Sequence, residues 1–332
     1  STRLDGTIAY AENPPKKYQD IYPLNFDNDP EGLYQEIRRV LELWISHGVT
    51  AFRVDNPHTK PMPFWDRLLT HFRTHHPDVL FLSEAFTRPA MMHTLAKLGF
   101  HQSYTYFAWR NGKHELAEYL TELSGHGANY FRPNFWPITP DILTPYMTHG
   151  GRAAYALRAI LAATGAPSWG IYTGYEFVEN VPRPGVEEAI DNEKYEFRPR
   201  PWDQADRFGL PLLLGKLNSI RRRHPALQRL DGLTIHSTDD DAILCFSKHL
   251  TAAQSPTGKQ DTIIVIANVD PNNHRSTWVH LDLAALGIPP SYGEPRMVAK
   301  ELLSEQTWEW GEHVYVELDP WQPALIVSAQ PA

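Results

Sequence analysis

Over roughly its first 225 residues the chain alternates short apolar runs with longer stretches whose apolar residues recur every three to four positions. The runs predict strands at Thr50–Val54, Val79–Ser83, Gln102–Phe107, Asn134–Pro137 and Ser168–Tyr172. The stretches between them predict helices at Glu31–His47, Pro63–His75, Glu115–Ser124, Arg152–Thr164 and Leu212–His224, the last closed by Pro225. Each helix carries an apolar stripe for a sheet, as Leu33, Ile37, Val40, Leu41 and Trp44 do in the first and Phe64, Trp65, Leu68, Leu69 and Phe72 in the second. A strand, a helix and a strand in sequence make a right-handed crossover, so these strands are expected to be parallel.

Beyond Asp231 the period changes to two. Leu233–His236, Ala242–Ser247, Thr262–Asn268, Thr277–Leu283, His313–Leu318 and Ala324–Ser328 are short alternating or apolar runs separated by Pro, Gly and Asn turns. The pattern predicts an antiparallel β-sandwich of about a hundred residues. The expected architecture is therefore α/β over residues 1–230 and all-β over 231–332, with the second domain buttressing the first.

Chemistry gathers where the first two strands end. Arg53 and Asp55 lie two apart and share a strand face, projecting together from its C-terminal end, which is where a (β/α)₈ barrel collects catalytic groups. An arginine beside a carboxylate keeps it ionised and oriented, as a nucleophile requires; a structural ion pair at a strand end is the plainer reading. One helix later a second strand ends in Glu84 among Phe81, Leu82, Ala85 and Phe86, a setting that would raise a carboxyl pKa and suit a general acid/base. A charged cap on an ordinary strand is the alternative here. Two carboxylates in unlike environments are the machinery of retaining glycoside chemistry.

Composition narrows the field. With 332 residues, 42% of them hydrophobic, the chain can bury one large core or two. A formal net charge of -8 argues against nucleic acid or an anionic membrane as partner. Cys245 is the single cysteine, which excludes an internal disulfide and fits a reducing, cytoplasmic setting, and no 18-residue apolar span is present. The sixteen histidines show no metal-ligand spacing, so neither metal nor other cofactor is expected.

Phe52–Pro61 and Phe81–Pro89 resemble segments of the alpha-amylase superfamily, and more narrowly the bacterial alpha-1,4-glucan:maltose-1-phosphate maltosyltransferases. The resemblance continues through Ala9–Asp20, Asn134–Asp141, Gly170–Glu176 and Glu193–Glu196, so it covers nearly the whole chain. It implies a C-terminal part of a (β/α)₈ TIM barrel followed by a β-sandwich. It also implies transfer of a maltosyl unit from α-maltose-1-phosphate to an α-1,4-glucan, and a homodimer as the full-length enzyme. By position, Asp55 matches the nucleophile, Glu84 the acid/base, Asp141 the carboxylate that stabilises the transition state, and Arg53 the partner of the nucleophile. Pro140 stands where the wider superfamily has a histidine, which favours the narrower branch. Taken alone, Asp141 reads as a helix N-cap before Ile142-Leu143. The resemblance assigns Asn13, Lys16, Tyr18 and Asn56 to the donor's phosphate, where Pro14–Lys17 alone reads as an exposed turn. Lys194 and Tyr195 match a distal sugar subsite; a surface lysine and a core tyrosine are equally consistent.

A complete barrel needs eight strands and only about five are readable, so the chain is expected to be the C-terminal portion of a longer enzyme and inactive or aggregating by itself. The expected chemistry is double displacement with net retention. For that, the carboxyl groups of Asp55 and Glu84 should lie about 5–5.5 Å apart, against roughly 9 Å for inversion. A glucan hydrolase or transglycosylase of the same superfamily is the alternative enzyme, a non-catalytic glucan-binding protein and a subunit of a split enzyme the others.

Overall fold

The structure is a computed structural model that describes residues 3–10, 12–13 and 16–17 (backbone only), 21–193, 196–289 and 297–332. The chain divides into two compact units, residues 1–104 with 130–132, and residues 105–129 with 133–332.

The first unit opens on a short antiparallel pair, β1 (Glu12–Asn13) and β2 (Lys16–Lys17), in which Asn13 and Lys16 are cross-strand partners. Helix α1 (Pro30–Ser46) starts with Pro30 in its first turn and with Asp29 as N-cap, whose Oδ1 accepts from the Gly32 amide at 2.8 Å. Then come β3 (Ala51–Asp55), α2 (Met62–His75), β4 (Leu80–Glu84), α3 (Pro89–Leu98) and β5 (Gln102–Tyr104). β3, β4 and β5 pair in parallel as expected. The stripe read for α2 is the buried one, and its five side chains join Phe81, Leu95 and Phe100 in one core. Each such side chain contributes about 1.5–3 kcal/mol by leaving water.

Two sequence expectations fail here. α1 buries Tyr34 and half-buries Ile37, Leu41 and Ile45 against that core, whereas Val40, Leu43 and Trp44 are exposed. The helix is apolar over more than one stripe, so periodicity alone does not select the face that packs. Helix α3 was not foreseen, although it begins with Pro89 and stops at Gly99, whose φ of 116° a residue with a Cβ rarely adopts.

The second unit contains α4 (Lys113–Ser124), β6 (Pro133–Phe135), α5 (Pro145–Gly165), β7 (Ser168–Trp169) and α6 (Leu210–Arg223). β6 and β7 are parallel. α5 is two helices run together, because Gly151 breaks the backbone with φ 51° and ψ -142°. Among the described residues eight antiparallel strands follow: β8 (Leu233–Thr238), β9 (Ile243–Leu250), β10 (Asp261–Asn268), β11 (Arg275–His280), β12 (Met297–Glu301), β13 (Thr307–Trp310), β14 (His313–Leu318) and β15 (Ala324–Pro331). β12 and β13 were not read from the sequence.

The strand order is β13-β12-β15-β10-β9-β8-β11-β14. The terminal strands of that order, β13 and β14, are joined by two residues, so the sheet curls until its ends nearly meet. Both ends contribute to a single core, with Trp310 from one and Val314, Val316 and Leu318 from the other against Ile264, Ile266 and Val327. The helices of the unit are tied to this sheet by Lys113 Nζ donating to Thr238 Oγ1 (2.7 Å), Tyr146 Oη to the Val269 carbonyl (2.9 Å) and His224 Nδ1 facing Asp261 Oδ1 (2.8 Å). No helix among the described residues is long and apolar enough to cross a membrane.

Candidate active site

Parallel pairing of β3 with β4 sets the geometry. Asp55 is the register partner of Glu84, and Arg53 that of Leu82. Register partners on adjacent strands project to the same face, and adjacent strands run about 4.8 Å apart. The two carboxylates therefore leave the sheet side by side at the C-terminal ends of their strands. Immediately after Asp55 the chain turns through Asn56, in the left-handed region at φ 46°, a conformation asparagine tolerates better than most residues. The Asn56 amide donates to the Glu84 carbonyl at 3.0 Å, which staples the two strand ends together. The loop beyond is held from below, as Trp65 Nε1 on α2 donates to the Pro57 carbonyl at 2.8 Å.

The two carboxylates differ in environment, as acid/base chemistry with two roles requires. Asp55 is exposed and Glu84 is buried. The expected partnership of Arg53, however, is redistributed. Its Nη2 forms an ion pair with Glu84 Oε1 at 2.9 Å, because a long side chain leaning along β3 reaches the neighbouring strand's carboxylate across the register. Burial works to discharge this guanidinium, but Glu84, then Tyr104 and Asp55, hold it above its usual pKa. Glu84 thus has an ionic partner on its own face. Of the apolar side chains near it in sequence, Phe81 and Ala85 alternate to the opposite face while Leu82 shares its own, so the setting read from the sequence is only partly apolar and includes a cation.

Three further groups surround the pair. Tyr104, at the end of β5, is 9% exposed and lies 5.7 Å from the Arg53 guanidinium, measured to its ring centroid; burial pushes its phenol up. Lys60 and His58 stand in the turn after Asp55. Burial lowers the pKa of each, and Asp55's charge opposes the shift in both. Sequence reading gave no role to Tyr104; its period-two position at a third strand end was the available signal.

In the second unit, Asp141 is half-buried in a tight turn in which Thr139 and Ile142 exchange amide-to-carbonyl bonds of 3.1 and 3.2 Å. It is not a helix N-cap, since α5 begins only at Pro145 with Thr144 in that position. The side chains of Asn13 and Lys16, and all of Tyr18, Lys194 and Tyr195, lie outside the described residues. Their neighbour Glu193 is described: Arg200 donates to Glu193 at 2.9 Å and to both oxygens of Glu179 at 2.9 and 3.0 Å. Among the described residues, no group of three or more His, Cys, Asp or Glu is arranged to hold a metal ion. A cleft of about 470 Å³ lined by Lys113, Tyr146, Asp240, Asp270 and Arg275 contains none of these carboxylates.

Residues 235–329 match the family model described as GLGE, C-terminal. The chain is 58% identical over 332 residues to the alpha-1,4-glucan:maltose-1-phosphate maltosyltransferase of Arcanobacterium haemolyticum, which covers 99% of this chain and 48% of that protein. It is 53% identical over 321 residues to the alpha-1,4-glucan:maltose-1-phosphate maltosyltransferase 2 of Streptomyces coelicolor, covering 96% of this chain and 46% of that one. The chain is similar to these maltosyltransferases over nearly its whole length. It spans about half the length of the curated relatives it matches. Among solved structures, an Anoxybacillus alpha-amylase superposes with a TM-score of 0.65 at 14% identity, over 94% of this chain and 65% of that one. That likeness concerns the fold: part of an amylase-type barrel followed by a β-domain.

Proposed function

We propose that the chain carries the catalytic carboxylates of an enzyme that moves a maltosyl unit from α-maltose-1-phosphate to the non-reducing end of an α-1,4-glucan, with net retention. The observation that carries this reading is the register pairing of Asp55 with Glu84 at the ends of two parallel strands. Asp55, exposed and free to approach an anomeric carbon, attacks C1; the C1–O bond to phosphate breaks and inorganic phosphate leaves with the bonding electron pair. Glu84, buried and held by Arg53, then takes the proton from the acceptor's 4-hydroxyl as that oxygen displaces Asp55. Asp141 steadies the sugar hydroxyls, and Asn13, Lys16, Tyr18 and Asn56 receive the phosphate. Lys194 and Tyr195 hold the distal glucose.

The names of the relatives support the donor and acceptor assigned here. On the same reading the chain comprises a partial barrel to residue 230 and a β-domain from 231, works with further barrel strands in a homodimeric enzyme, and resides in the cytoplasm, in keeping with its buried, unbridged Cys245.

The test is stoichiometric. Incubation of the enzyme, with its further barrel strands present, with α-maltose-1-phosphate and an α-1,4-glucan should release one phosphate per maltosyl unit added, and phosphate release should need the glucan. Release of reducing sugar without chain extension would make the enzyme a hydrolase and overturn the assignment.

A further inference from the structure

The outer face of β11 and β14 carries a strip of side chains that the reaction above does not use. Antiparallel register opposes Ser276 with Glu317, Trp278 with Tyr315, and His280 with His313. All six lie on the face away from the core, since Thr277, Val279, Val314, Val316 and Leu318 alternate inward and are buried. Trp278 and Tyr315 are 48% and 51% exposed, with ring centroids 5.4 Å apart and planes at 63°. Single exposed aromatics are commonplace, whereas two in direct register, fixed against each other on a rigid sheet, make a preformed contact surface.

The rest of the strip is ordered and polar. His280 Nε2 donates to Asp239 Oδ1 at 2.8 Å, which leaves Nδ1 of the neutral ring to accept from His313 Nδ1 at 3.0 Å. The second nitrogen of a neutral His313 is then an acceptor. Successive pairs stand about 6.8 Å apart along the strands, so the strip is roughly 14 Å long.

We propose that this strip is a second binding site for α-1,4-glucan, on the β-domain and separate in sequence from the catalytic carboxylates. The ligand class rests on the proposed function. Pyranose rings present C–H faces that stack on aromatic rings and hydroxyls that bond to imidazole, hydroxyl and carboxylate. The strip offers those two chemistries and no aliphatic side chain, whereas a protein-binding face would centre on a larger apolar patch. A polymeric acceptor longer than the catalytic site gains residence from a second foothold through effective concentration.

The experiment is migration of the purified protein in native gels with and without amylose, alongside transfer assays. The double variant Trp278→Ala, Tyr315→Ala should weaken retardation by amylose at least fivefold and raise KM for long glucans. Its kcat and its KM for maltotetraose should be unchanged. Asp55→Ala should be retarded like the parent. Parent-like retardation of the double variant, or an unretarded parent, overturns the site, as does a change in assembly mass of the double variant by light scattering, which would make the strip a protein contact. If phosphate release from α-maltose-1-phosphate is absent while the double variant still loses retardation, the proposed reaction falls and the glucan site stands.

Discussion

Asp55 and Glu84 face each other across one parallel strand pair, and the amide of the residue after Asp55 is bonded to Glu84's own carbonyl at 3.0 Å. The backbone from which both carboxylates project is thus fixed on either side of the strand pair. Asp55→Ala and Glu84→Gln should each lower kcat on the order of 10³-fold or more while the fold is retained. Rapid-quench kinetics with α-maltose-1-phosphate checks this; activity within tenfold of the parent would remove either residue from the chemistry.

In the proposed reaction Arg53 and Tyr104 would act through Glu84, which Arg53 holds in an ion pair. Tyr104→Phe removes the phenol beside the guanidinium and keeps the ring, so a loss of about three- to tenfold in kcat/KM is expected. Arg53→Lys keeps the charge and loses the reach of the planar fork. It should lower kcat while leaving KM and the thermal midpoint nearly unchanged, a split that a purely structural change would not produce.

His236 makes the second unit acid-sensitive. Its Nδ1 accepts from the Asp282 amide at 3.1 Å and its Nε2 faces Ser247 Oγ at 2.8 Å, an arrangement that a neutral ring satisfies. Burial lowers its pKa to about 4, against an ordinary value near 6.5. The unfolded chain therefore takes up a proton first as pH falls. Stability present above roughly pH 6.5 declines between there and pH 4, by up to about 3 kcal/mol. Thermal midpoints from pH 7 to 4 should drop less steeply in His236→Gln.

Lys248 has a consequence of the same sign at the alkaline end. It is fully buried on β9 and donates to the Arg229 carbonyl, and burial lowers its pKa to about 7. The unfolded lysine stays protonated to about pH 10.4, so the unfolded state binds more protons between pH 7 and 10 and stability should rise across that window. In Lys248→Met the rise should disappear, as denaturant titrations at pH 7 and 9.5 would show.

The exposed Val40, Leu43 and Trp44 on α1 form a contiguous apolar face three and four residues apart. Leu43→Glu with Trp44→Glu should reduce self-association of the isolated chain, measured by light scattering. Unchanged association would place the sticky surface elsewhere.

The strand ends were legible because each apolar run stops abruptly at a charge and the intervening helix has an unambiguous stripe. What escaped was whatever depends on neighbours distant in sequence. Arg53's choice of Glu84 follows from a register that no single strand encodes, and the face of α1 was ambiguous because both sides are apolar. β13, Thr307–Trp310, alternates polar and apolar but over four residues only, too short a run to separate from a turn; it is recognisable once Trp310 is seen packing opposite Met297.

β15 follows the other seven described strands of the sheet in sequence, yet it lies inside the sheet between β12 and β10. Seven strands can be synthesised and still leave a slot with two unsatisfied rows of amides and carbonyls. During translation the sheet must therefore stay ajar until β15 emerges, and a ribosome stalled before Ala324 would present an open sheet to chaperones and proteases.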